Sequence, residues 1–216
     1  MTEATSKATA SVVTAARFER GLTYADFIAQ AKVNRDKFEQ YYDDSPLAPD
    51  DLAFFRRAAA LPNGPAKILA IAEDWCGDVY RELPTVVHIA ETSGMELRVF
   101  PRDQNPDIMD EFLSNNGQSR AIPVFVFYTK DIRYITHFLE RSANAHRELD
   151  AIRQEAVVAL NLLSGTTFRT VPDAQKQAYI GMIIPKIVPR FPQWRKEAIK
   201  EMRTLLSTAL NIPDQA

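Results

Sequence analysis

Ile68-Leu69-Ala70-Ile71-Ala72, followed at once by Glu73-Asp74-Trp75-Cys76-Gly77-Asp78, is the stretch on which the reading of this chain turns. A five-residue apolar run bounded by breakers suits a central strand covered on both faces. Pro62-Asn63-Gly64-Pro65 closes off what precedes it, and Asp78 to Thr92 then carries a helical pattern ended by Ser93-Gly94. The single cysteine of the chain therefore sits where a buried strand hands over to a helix. Unpaired N–H groups and the positive end of the helix dipole favour a thiolate there, so the pKa of Cys76 can fall below the free value of about 8.5. The competing reading is inert packing, because free cysteines are commonly buried as small hydrophobes.

Downstream, Leu97-Arg98-Val99-Phe100 reads as a second strand and Pro106 to Asn116 as a second helix, with proline in its first turn. Val124 to Tyr128 and Tyr134 to Phe138 flank Thr129-Lys130-Asp131 as a hairpin. A helix with Leu149, Ile152, Ala156, Val157, Leu160 and Leu163 at helical spacing closes the region. The order strand, helix, strand, helix, strand, strand, helix predicts a mixed four-stranded sheet with helices on both faces. Its first two strands are parallel through a right-handed crossover. Upstream, Leu22 to Ala31 and Arg35 to Tyr42 read as short helices, and a third is expected with Asp50 as its N-cap. Beyond Pro172 a segment broken by Pro185, Pro189 and Pro192 leads to a helix from about Gln193 to Leu210. Its apolar stripe is Trp194, Ala198, Met202, Leu205 and Ala209. The expected organisation is a disordered tail over 1–20, a helical extension over 21–65, an α/β core over 66–165 and a helical C-terminal extension over 166–216 packed on that core.

Twenty-six basic and 28 acidic residues give a net charge of -2, which offers no electrostatic footprint for nucleic acid. No apolar run reaches the roughly 18 to 20 residues that span a bilayer, so no membrane partner is expected. The Ala-, Ser- and Thr-rich start lacks the apolar block of a secretory signal. One cysteine cannot make an intramolecular disulfide, which fits a reducing, cytoplasmic compartment. His88, His137 and His146 show no metal-ligand spacing with it, so no metal is expected.

Several positions together resemble the thioredoxin superfamily. Trp75-Cys76-Gly77 matches the start of its Trp-Cys-Gly-Pro-Cys motif, and Pro84 falls where its active-site helix kinks. Arg120-Ala121-Ile122-Pro123-Val124 is similar to its cis-proline segment facing the active cysteine, and Asp103-Gln104-Asn105-Pro106 to the connection into its next helix. The resemblance covers roughly Ala66 to Leu163. From Ala66 to Arg81 it is closest to bacterial thioredoxin-like proteins with a Glu-Asp-Trp-Cys-Gly-Asp motif. It implies a thioredoxin-like fold, Cys76 as nucleophile, and a substrate site formed by Trp75, Gly77, Asp78, Ile122 and Pro123. An X-Pro bond adopts the cis form at a cost of about 0.5 to 1 kcal/mol; a trans proline at a strand start is the alternative for Pro123. In the family, groups beside the cis-proline pair with an extended peptide or glutathione.

The chain also departs from the family. Val79 stands where the resolving cysteine belongs, and Ala70 where many thioredoxins carry a buried acid. Release of a mixed disulfide would therefore need an external thiol such as glutathione, a co-substrate and not a bound cofactor. Glu73, Asp74 and Asp78 oppose ionisation of a nearby thiol, and Arg81 offsets part of that charge. These carboxylates read as exposed and screened, with Asp78 as a helix N-terminal acid, and Glu140-Arg141 reads as a surface pair, although the group this chain resembles often carries an arginine near Arg141. Asp74 and Asp78 could alternatively hold a cation or a basic segment. The leading reading is a monothiol redox protein exchanging with protein or glutathione thiols and disulfides. The alternative is a thioredoxin-like peptide- or protein-binding module without redox turnover. Peroxide reduction at Cys76 ranks third, for want of an arginine clearly placed at the motif.

Overall fold

Lys67–Ala72 forms β1, buried from Ile68 to the end of the strand, as its uninterrupted apolar sequence requires. A computed structural model describes residues 11–214 of the protein, and in it β1 lies inside a sheet of order β2-β1-β3-β4. Its neighbours are β2 (Glu96–Pro101), parallel in the register Ala70↔Val99, and β3 (Val124–Tyr128), antiparallel in the register Ala70↔Phe125. The outer strand β4 (Tyr134–Leu139) runs antiparallel to β3, and its burial alternates as a sheet edge with one covered face should. The thioredoxin-like fold implied by the resemblance is present, as a mixed four-stranded sheet with helices packed against it. The free edge of β2 is covered by a short antiparallel bridge, where Leu22 and Val99 exchange both backbone hydrogen bonds at 2.9 and 2.8 Å.

Residues 1–10 of the expected tail lie outside the described residues. Residues 11–20 are not a tail. Thr14 caps a one-turn helix α1 (Ala15–Phe18) by accepting from the Arg17 amide at 3.1 Å, and Phe18 is fully buried. An aromatic side chain anchored in the core orders a polar segment that composition alone leaves free.

Three helices follow: α2 (Tyr24–Gln30), capped by Thr23, then α3 (Arg35–Asp43) and α4 (Pro49–Ala59). Ala48, not Asp50, occupies the N-cap of α4; Pro49 opens the helix and Asp50 lies in its first turn. Phe27, Phe38, Phe54 and Phe55 insert into the same apolar cluster as β1. The helix after the motif, α5 (Gly77–Ser93), contains Pro84 and ends on Gly94 at φ 74. The next helix, α6 (Pro106–Met109), is a single turn and not the eleven residues expected. The chain reverses at Asn115, Asn116 and Gly117, all with φ between 50 and 80, a left-handed run that no helix accommodates.

Helix α7 (Ala143–Ala159), capped by Ser142, buries Leu149, Ile152, Ala156 and Val157 as its spacing predicts, but Leu163 lies beyond its end and is 85 % exposed. The segment expected to be broken by prolines contains a full helix, α8 (Asp173–Ile187), with Pro185 in its last turn. Only one intrahelical hydrogen bond is lost at that position. Pro192 sits in the first turn of α9 (Phe191–Leu210), where no amide partner is missed. Together α7, α8 and the start of α9 enclose a second apolar cluster around Tyr179, Ile183, Phe191 and Trp194. Further along α9, Ala198, Ile199, Met202 and Leu206 join the main cluster against β4 and α4. The stripe on α9 thus runs through Leu206, with Ala209 left exposed.

Candidate functional site

Cys76 is the N-cap of α5, placed there because β1 ends at Ala72 and a tight turn over Glu73–Cys76 starts the helix. Its thiol donates to the carbonyl of Ile122 at 3.6 Å, and the Ile122–Pro123 peptide is cis. The residues singled out from the sequence are therefore brought together: Cys76, Gly77 and Asp78 at the start of α5, and Ile122 and Pro123 at the entry of β3. A Cβ at Gly77 would meet the Tyr80 hydroxyl at 3.5 Å, an ordinary contact, so crowding does not demand glycine there. Trp75 is 42 % exposed beside the cysteine, with the Arg102 guanidinium 4.9 Å and that of Arg169 5.5 Å from its ring.

The carboxylates around the motif are not a solvated rim. Asp78 is enclosed by two arginines: Arg81 donates to it at 2.6 Å, and Arg141 donates through Nε at 3.3 Å and through Nη2. Arg81 and Arg141 are only 3 % and 6 % exposed. Burial alone would raise the Asp78 carboxyl, but the two guanidinium ions outweigh it and hold the group well below the usual carboxylate range. Glu140-Arg141 is not a surface pair either. Glu140 takes a left-handed φ of 56, its amide donates to Pro123 O at 2.7 Å, and the bend carries Arg141 inward under the motif. Beneath this layer Arg81 also donates to Glu82 at 2.8 Å, and burial pushes the Glu82 carboxyl up in spite of Arg81.

Asp74 is likewise committed to the protein. Its carboxylate accepts from the Lys32 and Val33 amides at 2.6 and 3.3 Å, pinning the α2–α3 connection, while Asn34 donates to its carbonyl. Glu73 accepts from the Asp103 amide at 2.8 Å, and burial raises its carboxyl. Asp74 is thus tied to the α2–α3 connection through one carboxylate oxygen and Asp78 to two arginines, and no group of three or more metal-ligating side chains gathers around them among the described residues.

The competition at the thiol is decided by burial. Desolvation first and the Asp78 charge second push Cys76 up to about 11, against the Val79 and Asp78 amides and Arg141, which pull the other way. About one thiol in 10⁴ is ionised at pH 7 with such a value. The helix start is therefore insufficient by itself: its amides do reach the sulfur, but the group is enclosed.

Cys76 opens onto a cavity of about 1100 Å³. One wall is the core, through Trp75, Arg102, Arg120 and Ile122. The other is α7 and the C-terminal extension, through Arg153 of α7 and through Phe168, Arg169, Ile184 and Val188. None of those extension residues carries a sequence motif. They reach the site because α7 and α8 pair with each other and present their connection to the motif. Arg141 was visible in the sequence, but nothing in its surroundings signalled burial.

No helix among the described residues is long and apolar enough to cross a membrane. No curated protein matches the chain. Two solved structures share the fold at low identity. One is a crystal structure of a protein of unknown function from Pseudomonas aeruginosa, at 14 % identity and a TM-score of 0.53, covering 92 % of this chain and 98 % of that one. The other is an HIV epitope-scaffold, at 15 % identity and a TM-score of 0.53, covering 93 % and 100 %. The family model described as Thioredoxin matches residues 21–153. That span carries the motif, the cis-proline segment and all four strands, and the chain belongs to the thioredoxin family.

Proposed function

We propose that this chain is a monothiol member of its family, which captures sulfur-containing partners as long-lived mixed disulfides through Cys76. The observation that carries the reading is the placement of the thiol against the Ile122 carbonyl, at the cis-proline and at the mouth of a cavity large enough for a peptide-sized ligand. In the capture step Cys76 loses its proton to solvent and its sulfur attacks one sulfur of a disulfide R–S–S–R′. The new Cys76–S–S–R bond forms as R′–S⁻ leaves, so one sulfur is reduced while Cys76 is oxidised. Val79 offers no internal thiol, so a second, external thiol such as glutathione completes the cycle.

A thiol pushed up to about 11 makes this chemistry slow in both directions. Little thiolate is present to attack, and a high-pKa thiolate is a poor leaving group when the mixed disulfide is resolved. A mixed disulfide, once formed, is therefore long-lived, and turnover is slow. The test is incubation with oxidised glutathione across pH 7 to 10, with the Cys76 adduct followed by mass. An adduct that forms faster with each pH unit and is removed slowly by reduced glutathione supports the reading. No adduct in the folded protein at any pH refutes it.

The same raised thiol favours a second reading, a groove that binds without covalent chemistry. That reading expects Cys76→Ser to keep full affinity for whatever fills the cavity.

A further inference from the structure

We propose that the cavity above Cys76 is a recognition site for a small amphipathic anion, with Arg153 of α7 and Arg169 of the C-terminal extension pairing its acidic group and Phe168, Ile184 and Val188 covering its apolar body. The proposal names the ligand class for the cavity used in the reading above, and rests on that cavity being the working site. Seven cationic side chains line the cavity against three carboxylates, in a chain whose net charge is -2. Four of the cations are already neutralised. Arg81 and Arg141 share Asp78, Arg102 is paired with Asp103 at 2.7 Å, and Arg120 with Asp110 at 2.7 Å. Lys37 lies over the Tyr80 ring, 4.8 Å from its centroid.

Three cations remain without a strong carboxylate partner: Lys37 of α3, Arg153 of α7 and Arg169 of the extension, the last two facing the apolar wall of the cavity. Arg169 meets no carboxylate among the described residues, and its guanidinium rests against Trp75. Arg153 lies over the Phe168 ring, 5.7 Å from its centroid, and reaches the exposed Asp150 through Nη1 at 3.3 Å, while its Nε is buried without a hydrogen-bond partner among the described residues. A buried donor without a partner is costly to the protein and is satisfied by an incoming acceptor. A planar guanidinium also suits a carboxylate, which it can hold in bidentate fashion.

The apolar half of the site is equally marked. Eight large apolar side chains are exposed among the described residues, and three of them, Trp75, Ile184 and Val188, line this one cavity. A ligand with a charge at one end and an apolar body at the other would meet both sets at once. A neutral ligand would leave the arginines unmet, and a fully ionic one would leave the apolar wall in water.

The experiment uses the full-length Cys76→Ser chain, so that its outcome is independent of thiol chemistry. The probes are 2-naphthoate and the neutral 2-naphthalenemethanol, titrated by isothermal calorimetry, since Trp75 and Trp194 both line the cavity and Arg169 rests on Trp75. Naphthoate is expected to bind about tenfold more tightly than the alcohol, with the preference cut to less than about threefold by Arg169→Ala and by 0.5 M salt. Arg169 lies on an exposed turn, so its removal does not endanger the fold. Arg153→Lys, which keeps the charge but not the planar fork, should weaken naphthoate alone. Equal affinity for the two probes, no binding of either, or a preference untouched by Arg169→Ala overturns the proposal. Failure of the glutathione adduct with the naphthoate preference intact would instead overturn only the redox reading.

Discussion

Asp78→Asn is the substitution that separates the two influences on Cys76. The side chain is nearly isosteric and keeps one oxygen to accept from an arginine, but it removes the charge that is the second cause of the raised thiol. Arg81 and Arg141 are then left with excess positive charge close to the sulfur. Both changes favour the thiolate, so the Cys76 midpoint should fall from about 11 toward, without reaching, the free value of about 8.5, because burial is untouched. Each unit of fall is about tenfold more thiolate at pH 7, and a rise in alkylation rate of roughly ten- to a hundredfold is expected. Breaking one partner out of a buried ion pair costs about 3 to 5 kcal/mol, a large share of the roughly 5 to 15 kcal/mol that holds a domain folded. The variant should therefore be alkylated well below its melting temperature. The assay is iodoacetamide reaction against pH, with urea unfolding on the same sample. The sign of the acid response provides a check. A carboxyl held below its ordinary range contributes stability that is present above about pH 4 and lost as pH falls through its folded pKa. The variant lacks that contribution, so the gap between wild type and variant should close on acidification. An unchanged midpoint in a folded variant would refute the assignment of Asp78 as a suppressor of the thiol.

Other consequences can be checked separately. Asp74→Ala removes the acceptor for the Lys32 and Val33 amides and should cost about 1 to 2 kcal/mol, with faster hydrogen exchange confined to the α2–α3 connection. Trp194→Ala deletes a ring that is 1 % exposed at the centre of the second apolar cluster and should cost about 3 to 5 kcal/mol by urea unfolding. His137 and His146 are both held below the ordinary histidine range, by burial in each case and by Arg141 as well for His146. The unfolded chain therefore takes up protons first as pH falls through about 6.5, and stability should decline from there toward pH 5. His146→Asn should flatten that slope, and a slope unaltered by replacing both histidines would sink the account.

The central sheet was legible because its signals are local. An apolar run with breakers on either side is β1, and the order of strands and helices fixes which pairs are parallel. The cysteine and the cis-proline segment were equally readable, since both belong to a motif of consecutive residues. What escaped were features decided by distant contacts. Phe18 orders a segment of low-complexity composition through the core it enters. Pro185 reads as a breaker, yet a last-turn proline loses one bond and the helix persists. Arg141 has the sequence context of a surface residue, and only the left-handed bend at Glu140 and the waiting Asp78 turn it inward. The extension wall of the cavity has no motif at all, because its residues are brought to the site by packing of α7 on α8.

Helix α9 has a consequence for how the protein can be divided. It begins in the cluster formed with α7 and α8 and finishes against β4 and α4, so one rod serves two interiors. The family match ends at residue 153, some forty residues before that rod begins. A fragment cut where the match stops would keep every strand and the cysteine, yet expose the surface that Ala198, Ile199, Met202 and Leu206 now cover. The helices after the sheet are the missing side of the box that contains it, and any shortened version of this protein has to retain its last rod.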